Sequence, residues 1–429
     1  MDTFLDFFSF SDPNVRYVVL GSILLTSSSS IVGCFTFLKK KALVGDAVAH
    51  AVLPGVCLSF LLTGEKNPFV LIIGAFITGW LSLFIIDAIS GRSKIKEDTA
   101  IGLILSVFFG IGILILTVIQ KSGAATQTGL DSFLFGKAAS LVGQDLIVFG
   151  IVALLLFLSV WLLFKEFSLL SFDEAFAQTI GLPVRSIELV LTTLTVMAVV
   201  IGIQAVGVVL MAAMLITPAA AARFWTDKIK VMIALAAIFG SLSGLIGAYI
   251  SYAAPSMPTG PWIVVVISTI AFISFFMAPG KGIIYRMRNQ SRIKKHINDE
   301  NILKTLYQLS EEEKNFYEAR TVDGILSKRK FDKGNLESGL RRLKNEGFLN
   351  NDNGFWKLTL EGKEKGQRIV KLHRLWELYL TEYLKIAPDH VHDDADTIEH
   401  ILTPELEARL EKLLDYPTVD PHESEIPYR

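Results

Sequence analysis

TAIGLILSVFFGIGILILTVIQ, residues 99–120, carries no charged side chain over a length that matches the hydrocarbon core of a bilayer. A helix needs about 20 apolar residues to cross roughly 30 Å of lipid, and only helices or closed barrels satisfy their backbone polar groups there. Comparable apolar runs lie outward from it at about 17–37, 43–63, 68–90, 146–164, 187–203, 205–222, 231–251 and 261–279. Nine crossings are therefore expected. The range is eight to ten, because the run after Pro54 and the pair divided near Gly202–Gly207 also read as broken or re-entrant helices.

The charges divide the chain. Residues 1–280 carry 15 Lys/Arg and 15 Asp/Glu, whereas the remaining 149 positions carry 26 and 27. Two solvents are written into one sequence, which excludes a single large soluble enzyme and a disordered or fibrous protein. The expected fold class is an all-α polytopic membrane protein followed by a cytoplasmic winged-helix domain and a helical metal-binding/dimerisation region. The expected divisions are a transmembrane domain at 1–280, a basic linker at 281–298, a winged helix at 299–370 and the helical region at 371–429.

Orientation follows from the basic clusters. Lys39–Lys41, Arg92/Lys94/Lys96, Arg185, Arg223 with Lys228 and Lys230, and the run from Lys281 to Lys295 all fall on one side of nine spans. The positive-inside rule makes that side cytoplasmic, with the acidic N-terminus outside and the charged tail inside. MDTFLDFFSFSDPNVR lacks the basic start and cleavage site of a secretory signal, so it is expected to be kept. Cys34 and Cys57 both lie in apolar runs and offer neither a disulfide framework nor a zinc ribbon. A formal net charge of −1 gives no electrostatic reason to expect nucleic acid.

Three membrane segments carry chemistry. In GDAVAHAVLPG, residues 45–55, Asp46 and His50 share a helix face, and His50 is the only histidine before position 296. A carboxylate and an imidazole inside a bilayer need a cavity or a partner. Two readings stand: an interhelical packing pair, or donors that suit Mn²⁺, Zn²⁺ or Fe²⁺. In GVVLMAAMLITPAAAARF, residues 207–224, small residues read as helix packing, with a pathway role only if Thr217–Pro218 frees backbone carbonyls. The GxxxG at Gly240 and Gly244 reads as another packing contact. SLLSFDEAFAQTIGLPVR, residues 168–185, reads as one short amphipathic helix with Phe172, Phe176 and Ile180 on a face. That helix is either solvated or docked to another protein. No GxxxxGK[ST] and no HExxH occurs, so ATP-powered transport requires a separate ATPase chain.

GDAVAHAVLPG, FDEAFAQTIGLP and VGVVLMAAMLITPAAAARF, in that order, resemble the permeases of bacterial manganese/zinc/iron ABC importers over about residues 15–280. The resemblance implies a dimeric permease in the cell membrane that works with an ABC ATPase, a second permease and an extracytoplasmic metal-binding protein. It implies that Asp46 and His50 sit on the metal route. It also implies that Asp173, Glu174 and Gly181 belong to the segment contacting the ATPase.

In the tail, Asn301–Leu309 reads as a short helix and Ser310 with Glu313 as a capping box opening the next. Leu336, Leu340 and Leu343 have helical spacing, and Asn353–Gly354 marks a hairpin turn, together giving a winged helix-turn-helix. Arg341, Arg342 and Lys344 read as phosphate contacts or a solvated face, and the tail's charge balance argues against DNA as a partner. Further on, His373 with Glu377, and His392, Asp396, Glu399 and His400, are mixed N/O donors at helical spacing that point to metal.

ENILKTLYQL, LRRLKNEGFL, WKLTLEGKEKG, HRLWELYL, VHDDADTIEHILT and LDYPTVDPHESEIP resemble metal-dependent repressors of the diphtheria-toxin-repressor type. That resemblance implies one metal site at His373, Glu377 and His392 and part of a second at Asp396, Glu399 and His400. Asn301 and Lys304 depart from the family's usual ligands, and 310–333 departs from its DNA-facing part. The combined expectation is a permease subunit for a divalent metal, Mn²⁺ before Zn²⁺ or Fe²⁺, with a sensor-like tail that also takes metal. The alternative is a membrane-tethered metal-responsive regulator that transports nothing.

Overall fold

The computed structural model describes residues 2–64, 68–121, 136, 141–254, 257–386 and 404–428. The chain forms two compact units, Met1–Arg286 and Met287–Arg429.

The first unit is a helical bundle. Its described helices are α1 (Asp2–Ser9), α2 (Pro13–Leu38), α3 (Val44–Thr63), α4 (Pro68–Arg92), α5 (Glu97–Lys121) and α6 (Gly143–Leu162). They continue with α7 (Phe164–Phe172), α8 (Glu174–Thr179), α9 (Val184–Val206), α10 (Val208–Trp225), α11 (Ile229–Ala253) and α12 (Thr259–Met277). Eight of these are long and apolar enough to cross a membrane, and the run at 205–222 becomes the shorter α10. Gly207, at φ +90°, divides α9 from α10, a backbone angle that glycine adopts without steric cost.

Small residues set how closely the helices approach. A Cβ built on Gly33 of α2 lies 1.7 Å from the Leu215 carbonyl oxygen of α10. One on Gly55 of α3 lies 2.1 Å from the Gly74 carbonyl oxygen of α4. Gly240 and Gly244 of α11 pack on Thr26 and Ser22 of α2, so the GxxxG is a packing contact. Two buried α2 hydroxyls bond inside their own helix, Ser28 to the Leu25 carbonyl at 3.2 Å and Thr36 to the Gly33 carbonyl at 2.9 Å. These two hydroxyls are thereby satisfied where no water is present. Exposed side chains such as Ile73, Leu114, Leu154 and Phe157 are apolar, as a surface facing lipid requires. Gly33→Ala is expected to force α2 from α10 and cost about 1–3 kcal/mol or more. Gly91→Ala, which meets open space, is the matched control, with thermal unfolding in detergent as the measurement.

The second unit contains most of α13 (Ile283–Glu312), then α14 (Val322–Lys328), α15 (Lys333–Asn345), β1 (Leu349–Asp352), β2 (Phe355–Leu358), α16 (Leu360–Glu382) and α17 (Pro404–Leu413). β1 and β2 are antiparallel, with Leu349 opposite Leu358. Asn353 (φ +53°) and Gly354 (φ +89°) form the two-residue turn expected from Asn–Gly. Leu306, Ile325, Leu336, Leu340, Leu343, Leu349 and Leu358 close one core under this wing. Helices and wing together make a winged helix-turn-helix.

Two local expectations fail here, the short helix at Asn301–Leu309 and the cap at Ser310. The short helix at Asn301–Leu309 is part of one 30-residue helix, Ile283–Glu312. Ser310 is inside that helix, its hydroxyl donating to the Leu306 carbonyl at 2.7 Å, so it caps nothing. The next helix is opened by Thr321, whose hydroxyl accepts from the Gly324 amide at 3.2 Å. Arg342, one of the three basic residues read as phosphate contacts or a solvated face, is partly exposed and donates two hydrogen bonds of 2.9 and 2.6 Å to Asp299.

α17 is held on α16 by Glu407, which pairs with Lys371 at 2.7 Å and Arg368 at 2.8 Å. Burial pushes the Glu407 carboxyl up, but hydrogen bonds from Lys371 and Arg368 outweigh it and hold it below its ordinary value. Its contribution is therefore complete above the ordinary glutamate range and disappears as pH falls through the lowered value. Acid titration followed by far-ultraviolet dichroism is expected to show α17 loosening at higher pH in Glu407→Gln than in the unaltered chain.

Candidate metal centres and candidate coupling segment

In the bundle, α3 begins at Val44, so Asp46 falls in its first turn and His50 one turn later. His50 Nε2 lies 3.5 Å from Asp46 Oδ1, with side chains 19% and 39% exposed. Two donors each about 2.1 Å from a shared ion lie roughly 3–3.5 Å apart. The imidazole edge meets the Phe109 ring of α5 at 4.9 Å, perpendicular to it, which fixes the ring's orientation. His50 Nδ1 is buried and has no hydrogen-bond partner. A buried polar atom without a partner is costly, and a ligand is one way to offset that cost. Pro54 lies inside α3 and is buried. On α10, the Leu215 carbonyl faces Gly33, and Ala219 and Ala222 beyond Pro218 share a buried cluster with Cys34, so this stretch serves the packing of α2.

The segment read as one amphipathic helix is two, α7 and α8, divided at Asp173. Asp173 is extended (φ −147°, ψ 88°) and accepts the Phe176 amide at 2.8 Å, capping α8. A residue favoured at caps has broken the helix that the apolar spacing predicted. Phe172, Phe176 and Ile180 are exposed, as are Asp173 and Glu174. Gly181, at φ +83°, turns the chain back toward α9. Ala177 is 1% exposed, packed with Ile187 and Leu191 of α9.

In the second unit, α16 buries His373 and Glu377, whose Nε2 and Oε1 lie 2.8 Å apart. Glu377, Asp420 and His422 each present a donor atom within 4.8 Å of the others. His422 Nδ1 is 3.9 Å from Glu377 Oε2. Asp420 Oδ1 accepts the His422 and Ser424 amides at 2.8 and 2.9 Å, which shapes the turn. Its Oδ2 lies 3.6 Å from Arg374. Two carboxylates and an imidazole fit a divalent transition metal. Asp420 and His422 escaped sequence reasoning because Asp–Pro–His lacks helical spacing. The signal was that pattern inside LDYPTVDPHESEIP. His392, Asp396, Glu399 and His400 lie outside the described residues. Lys304 is buried at 2% exposed, and Asn301 Oδ1 is buried without a partner.

Residues 11–278 match the ABC 3 transport family, and residues 359–428 match the metal-binding and dimerisation domain of iron-dependent repressors. The chain is 42% identical over 405 residues to the manganese transport system membrane protein MntC of Bacillus subtilis, covering 94% of this chain and 92% of that protein. It is 41% identical to the zinc transport system membrane protein TroC of Treponema pallidum, covering 66% of this chain and 95% of TroC. Among solved structures, PsaBC from Streptococcus pneumoniae in complex with Fab matches with a TM-score of 0.58 and 35% identity, over 65% of this chain and 97% of that one. The chain therefore belongs to the ABC 3 transport family as a multi-pass permease, and carries an iron-dependent-repressor-type domain at its C-terminal end.

Proposed function

We propose that the chain is the permease subunit of a divalent-metal importer, with Mn²⁺ its first substrate and Zn²⁺ and Fe²⁺ as competitors. The observation that carries this is the Asp46–His50 pair: two donors 3.5 Å apart, one with a buried nitrogen that has no partner. ATP hydrolysis falls to a separate ATPase subunit. An extracytoplasmic binding protein supplies the metal, and a second permease completes the pathway. The basic clusters set the N-terminus outside and the tail in the cytoplasm. The tail, with His373, Glu377, Asp420 and His422 as donors, senses metal on the side where it accumulates. Uptake of manganese by the reconstituted complex, with zinc and iron as competitors, tests the substrate; a complex indifferent to all three metals sinks the reading.

The ATPase docks on the α7–α8 segment, where exposed Phe176 and Ile180 stand beside Glu174. Because Asp173 is a cap, its replacement would confuse docking with helix loss. Glu174→Lys with Phe176→Ala leaves the cap intact and is expected to weaken co-purification of the ATPase about tenfold or more. Unaltered co-purification with full transport would leave a solvated loop.

A further inference from the structure

The α2–α3 turn carries two lysines that converge on one glutamate of α9. Lys39 Nζ donates to Glu188 Oε1 at 2.6 Å, and Lys41 Nζ reaches the same oxygen at 3.3 Å. The Lys39 side chain is 9% exposed and Glu188 is 30% exposed, so bulk solvent screens the pair poorly. Lys41 also lies 3.8 Å from Asp87 of α4 and 3.5 Å from Glu97 of α5, the two helices packed along α3. Burial works to strip the proton from Lys41, but the charges of Glu188, Asp87 and Glu97 together outweigh it and hold the proton more firmly than usual.

Each end of this network is tied to a site described above. Toward the ATPase, Glu188 adjoins Ile187, which packs with Ala177 of α8, Phe167 of α7 and Phe35 of α2 in one buried cluster. The Leu182 amide donates to the Ala177 carbonyl at 3.1 Å and the Ile187 amide to the Pro183 carbonyl at 3.1 Å, so α8 and α9 are joined by a bonded turn. Toward the metal, the Lys41 carbonyl accepts the Val44 amide at 3.3 Å, which binds the turn to the first residues of α3. Asp46 is five positions beyond Lys41. A displacement of α8 thus has a path of packed side chains and charge pairs to the helix bearing Asp46 and His50.

We propose that Glu188, held by Lys39 and Lys41, is a positioning residue that transmits movement of the α7–α8 segment into α3 and so couples ATP hydrolysis to metal movement. This rests on reading Asp46 and His50 as the metal route and α8 as the ATPase contact. Glu188 lies on α9, outside both the Asp46–His50 pair and the α7–α8 segment. Its loss should uncouple the cycle without dismantling the complex.

The test is the complex in proteoliposomes, with manganese uptake and ATP hydrolysis measured together for Glu188→Gln, Lys39→Met, their double variant and Glu188→Asp. In Glu188→Gln, ATPase attachment and hydrolysis should persist while manganese moved per ATP falls about tenfold. The double variant should be no worse than the poorer single, because both act through one contact. Glu188→Asp, which keeps the charge, should recover part of the ratio. Unchanged manganese per ATP, strictly additive losses, or parallel loss of attachment, hydrolysis and thermal stability would each overturn the proposal. Asp46→Asn and the Glu174→Lys/Phe176→Ala pair, run alongside, report separately on the metal route and on docking. Failure of those readings is thereby distinguished from failure of this one.

Discussion

Asp46→Asn and His50→Ala are each expected to lower manganese uptake by about a hundredfold or more while the ATPase still binds. Asparagine keeps the size of aspartate but removes the charge that attracts a cation, and alanine removes the only imidazole of the bundle. A hundredfold loss corresponds to roughly 3 kcal/mol of differential metal stabilisation, at 1.4 kcal/mol for each factor of ten. Attachment should survive because both residues lie on α3, whereas the exposed aromatic side chains Phe172 and Phe176 belong to α7 and α8. Uptake by vesicles and ATPase co-purification, measured on the same preparations, check both halves. Unchanged uptake in both variants would return the pair to a packing role, its contact with Phe109 being then the reason for its presence.

The second large effect is expected from the tail. If the tail restrains import as cytoplasmic metal rises, metal must favour one arrangement of the domain over another. A bias of about 1–3 kcal/mol changes uptake several-fold to over a hundredfold. Glu377 is central because it faces both His373 and His422. Glu377→Gln and the pair His373→Ala/His422→Ala are therefore expected to raise the internal metal level at which uptake slows, leaving initial uptake at low metal unchanged. Metal binding to the purified chain, followed by calorimetry, should weaken in the same variants. Should the unaltered chain and both variants slow at one metal level, the tail is a dimerisation element and not a brake.

The apolar run at 99–120 and its companions made the bundle legible, since no other backbone arrangement with that length and composition is stable in lipid. Asn353–Gly354 announced the wing, because a type I′ turn needs the positive φ angles both residues adopt. The four-residue separation of Asp46 and His50, and of His373 and Glu377, placed each pair on one helix face, and helical geometry alone requires that.

Other features depend on contacts that no local pattern encodes. Asp173 has the sequence of a residue inside an amphipathic helix, yet its side chain competes for the backbone and ends one helix to cap the next. Ser310 has the sequence of a cap, yet the core formed by Leu303, Leu306 and Tyr307 keeps the helix running past it. Asp420 and His422 reach Glu377 from more than forty positions away. Lys39 and Lys41 meet Glu188 from nearly a hundred and fifty. Periodicity reports on one helix at a time, so the sequence by itself determined the long apolar helices, the wing and the donor pairs carried on single turns. Which helices touch, and which distant charges and donors converge, was decided by packing in the tertiary structure, where Gly33 and Gly55 let backbones close together and Glu188 finds its lysines.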